Sequence, residues 1–263
     1  MPFRAAIFDV DGVLIDSPHE RAWRESLRDL MEHEWRELRD RTTWTPEAFT
    51  PLVYQRNVSG KPRESGARAA LEHFGIPGDD VHVAGYSRRK QDVLERLIDA
   101  GDFAAYPDAL RFLVRAKHVG LRIAAASSSK NASTLMAKVR VDASVLSAES
   151  LDLAPETTLL ALLDADVSGR HFAHGKPHPE MFLAAAHELG VAPVDAVVLE
   201  DAVSGVLAAK AGGMAAIGIA RADDVELLTG AGADLVVSSL DEVDTDSLVD
   251  GRLTTRRPSS AGP

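Results

Sequence analysis

The chain has 263 residues, 45% hydrophobic and 26% charged, with a formal net charge of -11 and no cysteine. That is the composition of a globular protein, long enough for one large domain or for a domain carrying a smaller insertion. The acidic balance argues against nucleic acid as a partner, and the missing cysteine rules out disulfides and thiolate metal sites. A small phosphorylated ligand, which needs only a few local cations, stays compatible with it. No run approaches the length of a membrane span, and the chain opens on a strand rather than a charged and apolar leader. The expectation is a cytoplasmic protein with no membrane contact, a monomer or weak homo-oligomer.

In chain order, residues 4–9 read as a buried strand. From about Pro18 to Ala100 the signals are almost all helical, without a convincing strand. Trp23, Leu27, Leu30, Met31, Trp35 and Leu38 share one stripe of a long first helix whose charged run, EHEWRELRDR, faces solvent. Pro62 opens a second helix, with Ala67, Ala70, Leu71 and Phe74 inside and Gly75 just past its end. A third spans Tyr86 to Ile98. After Pro107 helices and strands alternate. A helix over 108–119 precedes a strand at 121–127, a helix over 130–138 and a short strand near 142–147. Pro179 opens a helix to Leu189; strands at 195–201, 214–220 and 233–239 follow, with a helix to Ala211 between the first two. Apolar strands alternating with helices imply an α/β fold with a parallel sheet covered on both faces. The helical block after the first strand implies an insertion. Residues 246–263, rich in Ser, Thr, Arg and Pro without periodicity, read as a disordered tail.

Ligands of open α/β sheets bind beyond the carboxyl ends of the strands, so the residues there carry the chemistry. The first strand runs into Asp9 and Asp11, which start out on the same face because strand side chains alternate with a period of two. Gly12 permits a sharp turn beyond them. The strand at 121–126 ends in Ser127, and the strand at 196–199 ends in Glu200 and Asp201. Between them lies GKPHPE, with Lys176. Four carboxylates, a hydroxyl and an ammonium thus meet on one rim. Hard oxygen ligands suit magnesium, and the serine and lysine suit the remaining oxygens of a phosphoryl group.

The set FDVDGVL, SSSKN, GKPHPE and LEDAVSG resembles the haloacid dehalogenase superfamily, specifically its β-phosphoglucomutase-like branch. The resemblance covers residues 3 to about 243. It implies a Rossmann-like, doubly wound parallel sheet core over 1–17 and 102–245, with an inserted all-helical cap over 18–101. It further implies Asp9 as nucleophile, Asp11 as general acid and base, and Ser127 and Lys176 gripping the phosphoryl group. Magnesium would bind Asp9, the backbone carbonyl of Asp11 and Asp201, with Glu200 acting directly or through water. Asp11 argues against the dehalogenase branch, which lacks that second aspartate, and no cap lysine stands out as the Schiff base of the phosphonatases. A mutase or a sugar-phosphate phosphatase remains, with a non-catalytic phosphosugar-binding module as an outlying reading. The mutase branch implies that His19 assists Asp11, that Arg63 with Ser129, Lys130 and Asn131 holds a distal phosphate, and that Lys90 contacts the sugar or gates the site.

Each residue also has a plainer reading. Lys176 and Arg63 could be solvated cations, Ser127 a helix cap, and Glu200 and Asp201 acids at a helix start. A second GKP at 60–62 shows how little that tripeptide means alone. His171, His174 and His178 hint at zinc, but spacing places no carboxylate or thiolate to close such a site. Two departures from the branch stand out: a shorter loop after Asp16, which bears on His19, and a longer segment between Asn131 and Lys176, either surface elaboration or a different substrate wall.

Overall fold

Strand β1 (Ala5–Phe8) is buried at every residue and lies at the centre of the sheet. In this computed structural model, which describes residues 2–141, 154, 156–222 and 224–256, it pairs in parallel with β4 (Arg122–Ala125) on one side and β6 (Ala196–Glu200) on the other. β5 (Ala165–Asp166) extends the sheet beyond β4, and β7 (Ala215–Ile219) and β8 (Leu235–Val237) extend it beyond β6, giving the order β5-β4-β1-β6-β7-β8. All five pairings are parallel. A period-two strand buried on both faces must feed two cores, and β1 does so. Ala6 and Phe8 join a cluster with Phe112 and Leu113 of α5 (Pro107–His118) and Leu135 and Met136 of α6 (Ala132–Lys138). Ala5 and Ile7 join the opposite cluster, with Phe182 and Ala185 of α7 (Glu180–Glu188) and Val206 and Ala209 of α8 (Val203–Ala211). This is the doubly wound α/β core that the alternating pattern implies. The strand expected near 142–147 lies outside the described residues.

Between the first strand and α5, four helices bury an apolar cluster of their own. They are α1 (His19–Glu32), α2 (Pro51–Asn57), α3 (Arg63–Phe74) and α4 (Asp80–Asp99). Trp23 stacks edge-on against Tyr86 at 4.9 Å between centroids, and the Tyr86 hydroxyl donates to the Trp23 carbonyl at 2.9 Å. The first helix is shorter than its stripe suggests. It stops at Glu32, and the Trp35 N–H reaches back to the Leu30 carbonyl at 2.7 Å, so Trp35 and Leu38 pack on the cluster from a separate 3-10 turn. No glycine or proline marks that break; Arg89, bonded to Asp29 and Glu34 from α4, holds it. α4 starts six residues before Tyr86 because Asp79 caps it, accepting the N–H groups of Val81 and His82 at 3.0 and 3.1 Å. Two linkers join the helical unit to the sheet, and they pair as a short antiparallel ribbon of β2 (Ile15–Asp16) and β3 (Ala104–Ala105). Arg221, in the loop after β7, braces this junction. Its guanidinium makes two bonds to Asp108, one to the Gly12 carbonyl, and stacks 3.9 Å above the Tyr106 ring.

The expectation of a disordered tail from 246 is corrected as far as Arg256. Residues Thr245–Leu248 form a last helical turn capped by Asp244, Leu248 is fully buried, and Val243 bridges to Thr255. Low complexity hid a segment held by Leu248 and Leu253 on the core and by backbone pairing. Leu248→Ala should therefore lower the unfolding free energy by about 2–5 kcal/mol, read from urea melts. An unchanged midpoint would mean that Leu248 contributes nothing to the core.

Candidate active site

The three strands β1, β4 and β6 end side by side, and the rim they make carries the chemistry. Asp9 directly follows β1, its N–H bonded to the Leu199 carbonyl at 3.0 Å, and Glu200 ends β6. Between them lies the ammonium of Lys176, which donates to Asp9 Oδ1 at 2.5 Å and to Glu200 Oε1. All three side chains are buried, Glu200 and Lys176 completely. Burial by itself lowers an ammonium's pKa, yet Asp9 and Glu200 together outweigh it and raise Lys176, so the proton stays on the lysine. Burial pushes Glu200 up to about 7 despite that lysine. Glu200 Oε2 also accepts the Ala202 N–H at 2.9 Å. The neighbouring glycine is obligatory, since a Cβ at Gly205 would lie 1.7 Å from Glu200 Oε1.

Asp11 and Asp201 complete the rim. Gly12 adopts a φ of +87°, and a Cβ there would stand 2.1 Å from Asp201 Oδ2, so the turn after Asp11 packs directly on that carboxylate. Burial raises Asp201 well above the usual carboxylate range, with Glu200 and Asp9 adding repulsion. Burial raises Asp11 as well. Its Oδ2 accepts the Ser127 hydroxyl at 3.3 Å, while the buried Oδ1 has no hydrogen-bond partner. Four carboxylates share this rim with one buried ammonium. Such an excess of buried negative charge, with a donor set made of oxygen, fits a hard divalent cation; Asp9, Asp11, Asp201 and Glu200 could hold it.

Above the rim, a cavity of about 750 Å³ opens between the sheet and the helical unit. Asp9, Asp11, Ser127, Ser129, Lys130 and Asn131 line it from the sheet side, and His19, Arg63 and Lys90 from the helices. Every predicted residue is thus brought to one place, with Lys176 and Glu200 beneath the floor and Asp201 facing an adjoining recess lined also by Asp11 and Gly12. The short loop after Asp16 does not carry His19 away: its Nε2 lies 3.7 Å from Asp11 Oδ1 and 3.4 Å from the Ser129 hydroxyl. Lys90 Nζ is 3.1 Å from His19 Nδ1. A protonated Lys90 donates there and leaves the ring's N–H on Nε2, facing Asp11. Burial, Lys90 and Arg63 hold His19 well below the ordinary imidazole value, so the ring is neutral. The loop after β4 folds on its own hydroxyls, with the Ser129 N–H on Ser127 Oγ at 3.1 Å and the Asn131 N–H on Ser129 Oγ at 3.3 Å. Of the long segment before Lys176, residues 169–173 form one wall of the cavity.

The helical unit meets the sheet rim through the turn before α3. Ser204 Oγ donates to the Ser59 carbonyl at 3.1 Å, Ser128 Oγ to the Gly60 carbonyl at 3.4 Å, and Pro62 sits so close that a Cβ at Gly175 would lie 2.2 Å from its Cγ. Sequence reasoning missed Tyr54 and Gln55 of α2. Gln55 donates to Asp201 Oδ2 at 3.3 Å, and burial plus Asp201 and Asp11 raises the Tyr54 phenol well above its ordinary value. The signal was present: Thr50 caps the helix and Pro51 opens it.

A protein-family model of haloacid dehalogenase-like hydrolases matches residues 3–213. The chain belongs to that family. It is 35% identical over 260 residues to a β-phosphoglucomutase of Mycobacterium bovis, covering 91% of each chain. It is 30% identical to the validoxylamine A 7'-phosphate phosphatase of Streptomyces hygroscopicus subsp. limoneus, over 92% of this chain and 96% of that one. The crystal structure of an archaeal β-phosphoglucomutase from Pyrococcus superposes with a TM-score of 0.67 at 28% identity, over 95% of this chain and all of the other. As a haloacid dehalogenase-type protein it is an enzyme, a phosphotransferase or phosphatase. No helix among the described residues is long and apolar enough to cross a membrane.

Lys90 offers a test of the site's electrostatics. Burial, reinforced by Arg63 and opposed by Asp11, lowers its pKa from 10.5 to about 7. Between those values the unfolded chain binds a proton that the folded chain lacks, so this residue makes stability rise with pH. The slope approaches about 1.4 kcal/mol per pH unit. Urea melts at pH 7 and pH 9 without added metal should show the wild type gaining on Lys90→Met as pH rises. A constant difference would place Lys90 in water.

Proposed function

We propose that this enzyme is a magnesium-dependent phosphotransferase of the β-phosphoglucomutase type, interconverting a hexose 1-phosphate and 6-phosphate through an aspartyl-phosphate on Asp9. The observation that carries the reading is one cavity with two kinds of phosphate-binding group: Asp9 and Ser127, with Lys176 bonded to Asp9 beneath them, and the further cations Arg63 and Lys130 with Ser129 and Asn131 on the same lining. A mutase needs two anion grips because its bisphosphorylated intermediate must bind in both orientations. The 35% identity to a β-phosphoglucomutase along most of both chains supports the same choice. The phosphatase relative supports the second reading, hydrolysis of a sugar phosphate on the same scaffold.

In this mechanism burial raises Asp9, Lys176 opposes that rise by favouring the carboxylate, and its ammonium holds that carboxylate at the rim. The Asp9 oxygen attacks phosphorus as the bond to the sugar oxygen breaks, and Asp11 delivers a proton to that oxygen. Burial favours the protonated form of Asp11, its Oδ2 is fixed by Ser127, and the unpartnered Oδ1 is the one beside His19. The neutral His19 presents Nε2–H to that oxygen and helps return the proton in the second half-reaction. Ser127 and Lys176 bind the phosphoryl oxygens. Magnesium, used generally by this family, would be held by Asp9, Asp11 and Asp201 with Glu200 behind them, and would neutralise charge on the transferring group.

The deciding assay incubates the protein with β-glucose 1-phosphate, magnesium and a trace of glucose 1,6-bisphosphate. Glucose 6-phosphate without stoichiometric free phosphate is the expected result; free phosphate as the main product would replace the mutase reading with the phosphatase one. Asp9→Asn should lower turnover by about 10⁴-fold or more while leaving the melting curve in place. Arg63→Ala should reduce mutase turnover at least about tenfold more than hydrolysis of a small phosphate ester, because only the larger substrate uses the distal grip. Equal losses would remove Arg63 from that role.

A further inference from the structure

The loop that carries Lys176 has a second set of ligating side chains on its outer side, apart from the carboxylate rim. His174, His178 and Glu180 each offer one ligand atom, and the three atoms lie within 4.8 Å of one another. Glu180 Oε2 is 3.6 Å from His174 Nδ1 and 3.9 Å from His178 Nδ1. Ligands bonded to a zinc-sized ion at about 2.0–2.1 Å stand roughly 3.3 Å apart in a tetrahedron, so a small inward movement closes the set. Glu180 is thus the carboxylate that sequence spacing did not supply, and His171, on the cavity wall, is not needed.

Glu180 is already aimed. Its Oε1 accepts the Ala173 N–H at 3.3 Å and its Oε2 the His174 N–H at 3.0 Å, the kind of backbone bond that orients a ligand before an ion arrives. His178 Nδ1 carries a lone pair, which accepts the Glu180 N–H in a long bond of 3.3 Å that an ion would have to displace. The two imidazole rings lie 4.5 Å apart, tilted by 34°. The side chains of His174, His178 and Glu180 are 65%, 48% and 34% exposed, which leaves an entry path and an open coordination position.

We propose that His174, His178 and Glu180 form a binding site for a zinc-class divalent ion that clamps the Lys176 loop. Two imidazoles and one carboxylate select a borderline transition metal over magnesium or calcium, which take oxygen ligands. The two histidines flank Lys176 at equal distance along the chain, so one ion ties both shoulders of the loop whose lysine reaches Asp9 and Glu200.

Calorimetric titration of zinc into the full-length chain tests this, with His174→Ala/His178→Ala, Glu180→Gln and Asp201→Asn compared in parallel. The expected result is a zinc-binding event that persists in Asp201→Asn, weakens in Glu180→Gln, and is at least about 100-fold weaker in the double histidine variant. Zinc should also raise the melting temperature of the wild type and not that of the double variant, whose metal-free melt reports whether it folds. Binding unchanged in the double variant, or lost with Asp201→Asn, would overturn the proposal and assign the ion to the carboxylate rim.

Discussion

One ammonium buried between two carboxylates organises this protein. Lys176 touches both Asp9 and Glu200 with no access to water, and either acid left alone there would be an uncompensated buried charge. The pairing fixes more than charge. It ties the end of β1 to the end of β6 and pins the loop before α7 across both. The three strand ends and the lysine loop form one floor, which the hydroxyl loop after β4 joins through Ser127 on Asp11, while His19, Arg63 and Lys90 lie above it on helices.

That division separates the buried carboxylates and their lysine from the basic groups of the helices. The floor is assembled from backbone-determined positions: the first residue past a strand, the last residue within one, a turn that only glycine can make. The helical unit has its own apolar cluster and meets the floor at the junction ribbon, at the turn before α3, and through Gln55 on Asp201 and His19 beside Asp11. His19 and Lys90 hang from it beside Asp11, 3.1 Å from each other, so Asp11 and the two basic groups nearest it belong to different layers. Movement between the layers would change the surroundings of Asp11 without disturbing Asp9, Lys176 or Glu200.

The floor was legible in the sequence because its logic is local. A period-two strand running into aspartates, a strand ending in two acids and a lysine just ahead of a helix are each short patterns, weak alone and telling only in combination. The cap was legible only in part. The break after Glu32 has no sequence marker, since Arg89 from another helix sets it. α2 went unread although Thr50 and Pro51 announce its start, and Tyr54 and Gln55 went with it. Glu180 was passed over for a different reason: it counts as an ordinary first-turn acid until the loop folds back and sets its carboxylate against His174 and His178. The C-terminal segment looked formless because its order rests on two apolar residues, Leu248 and Leu253, on Ser247 bonds across the turn and on pairing with Val243, none of which makes a periodic pattern.

The contact between Pro62 and Gly175 has a consequence for how the two layers keep time. Pro62 is the residue before Arg63, and Gly175 the residue before Lys176, so this tight meeting of cap and core lies one step from each of two cations. The missing side chain at 175 is a notch, and the proline ring is the key that seats in it. Any bulkier residue at that point would act as a doorstop, holding the cap ajar and lifting Arg63 away from a Lys176 that stays fixed in the floor.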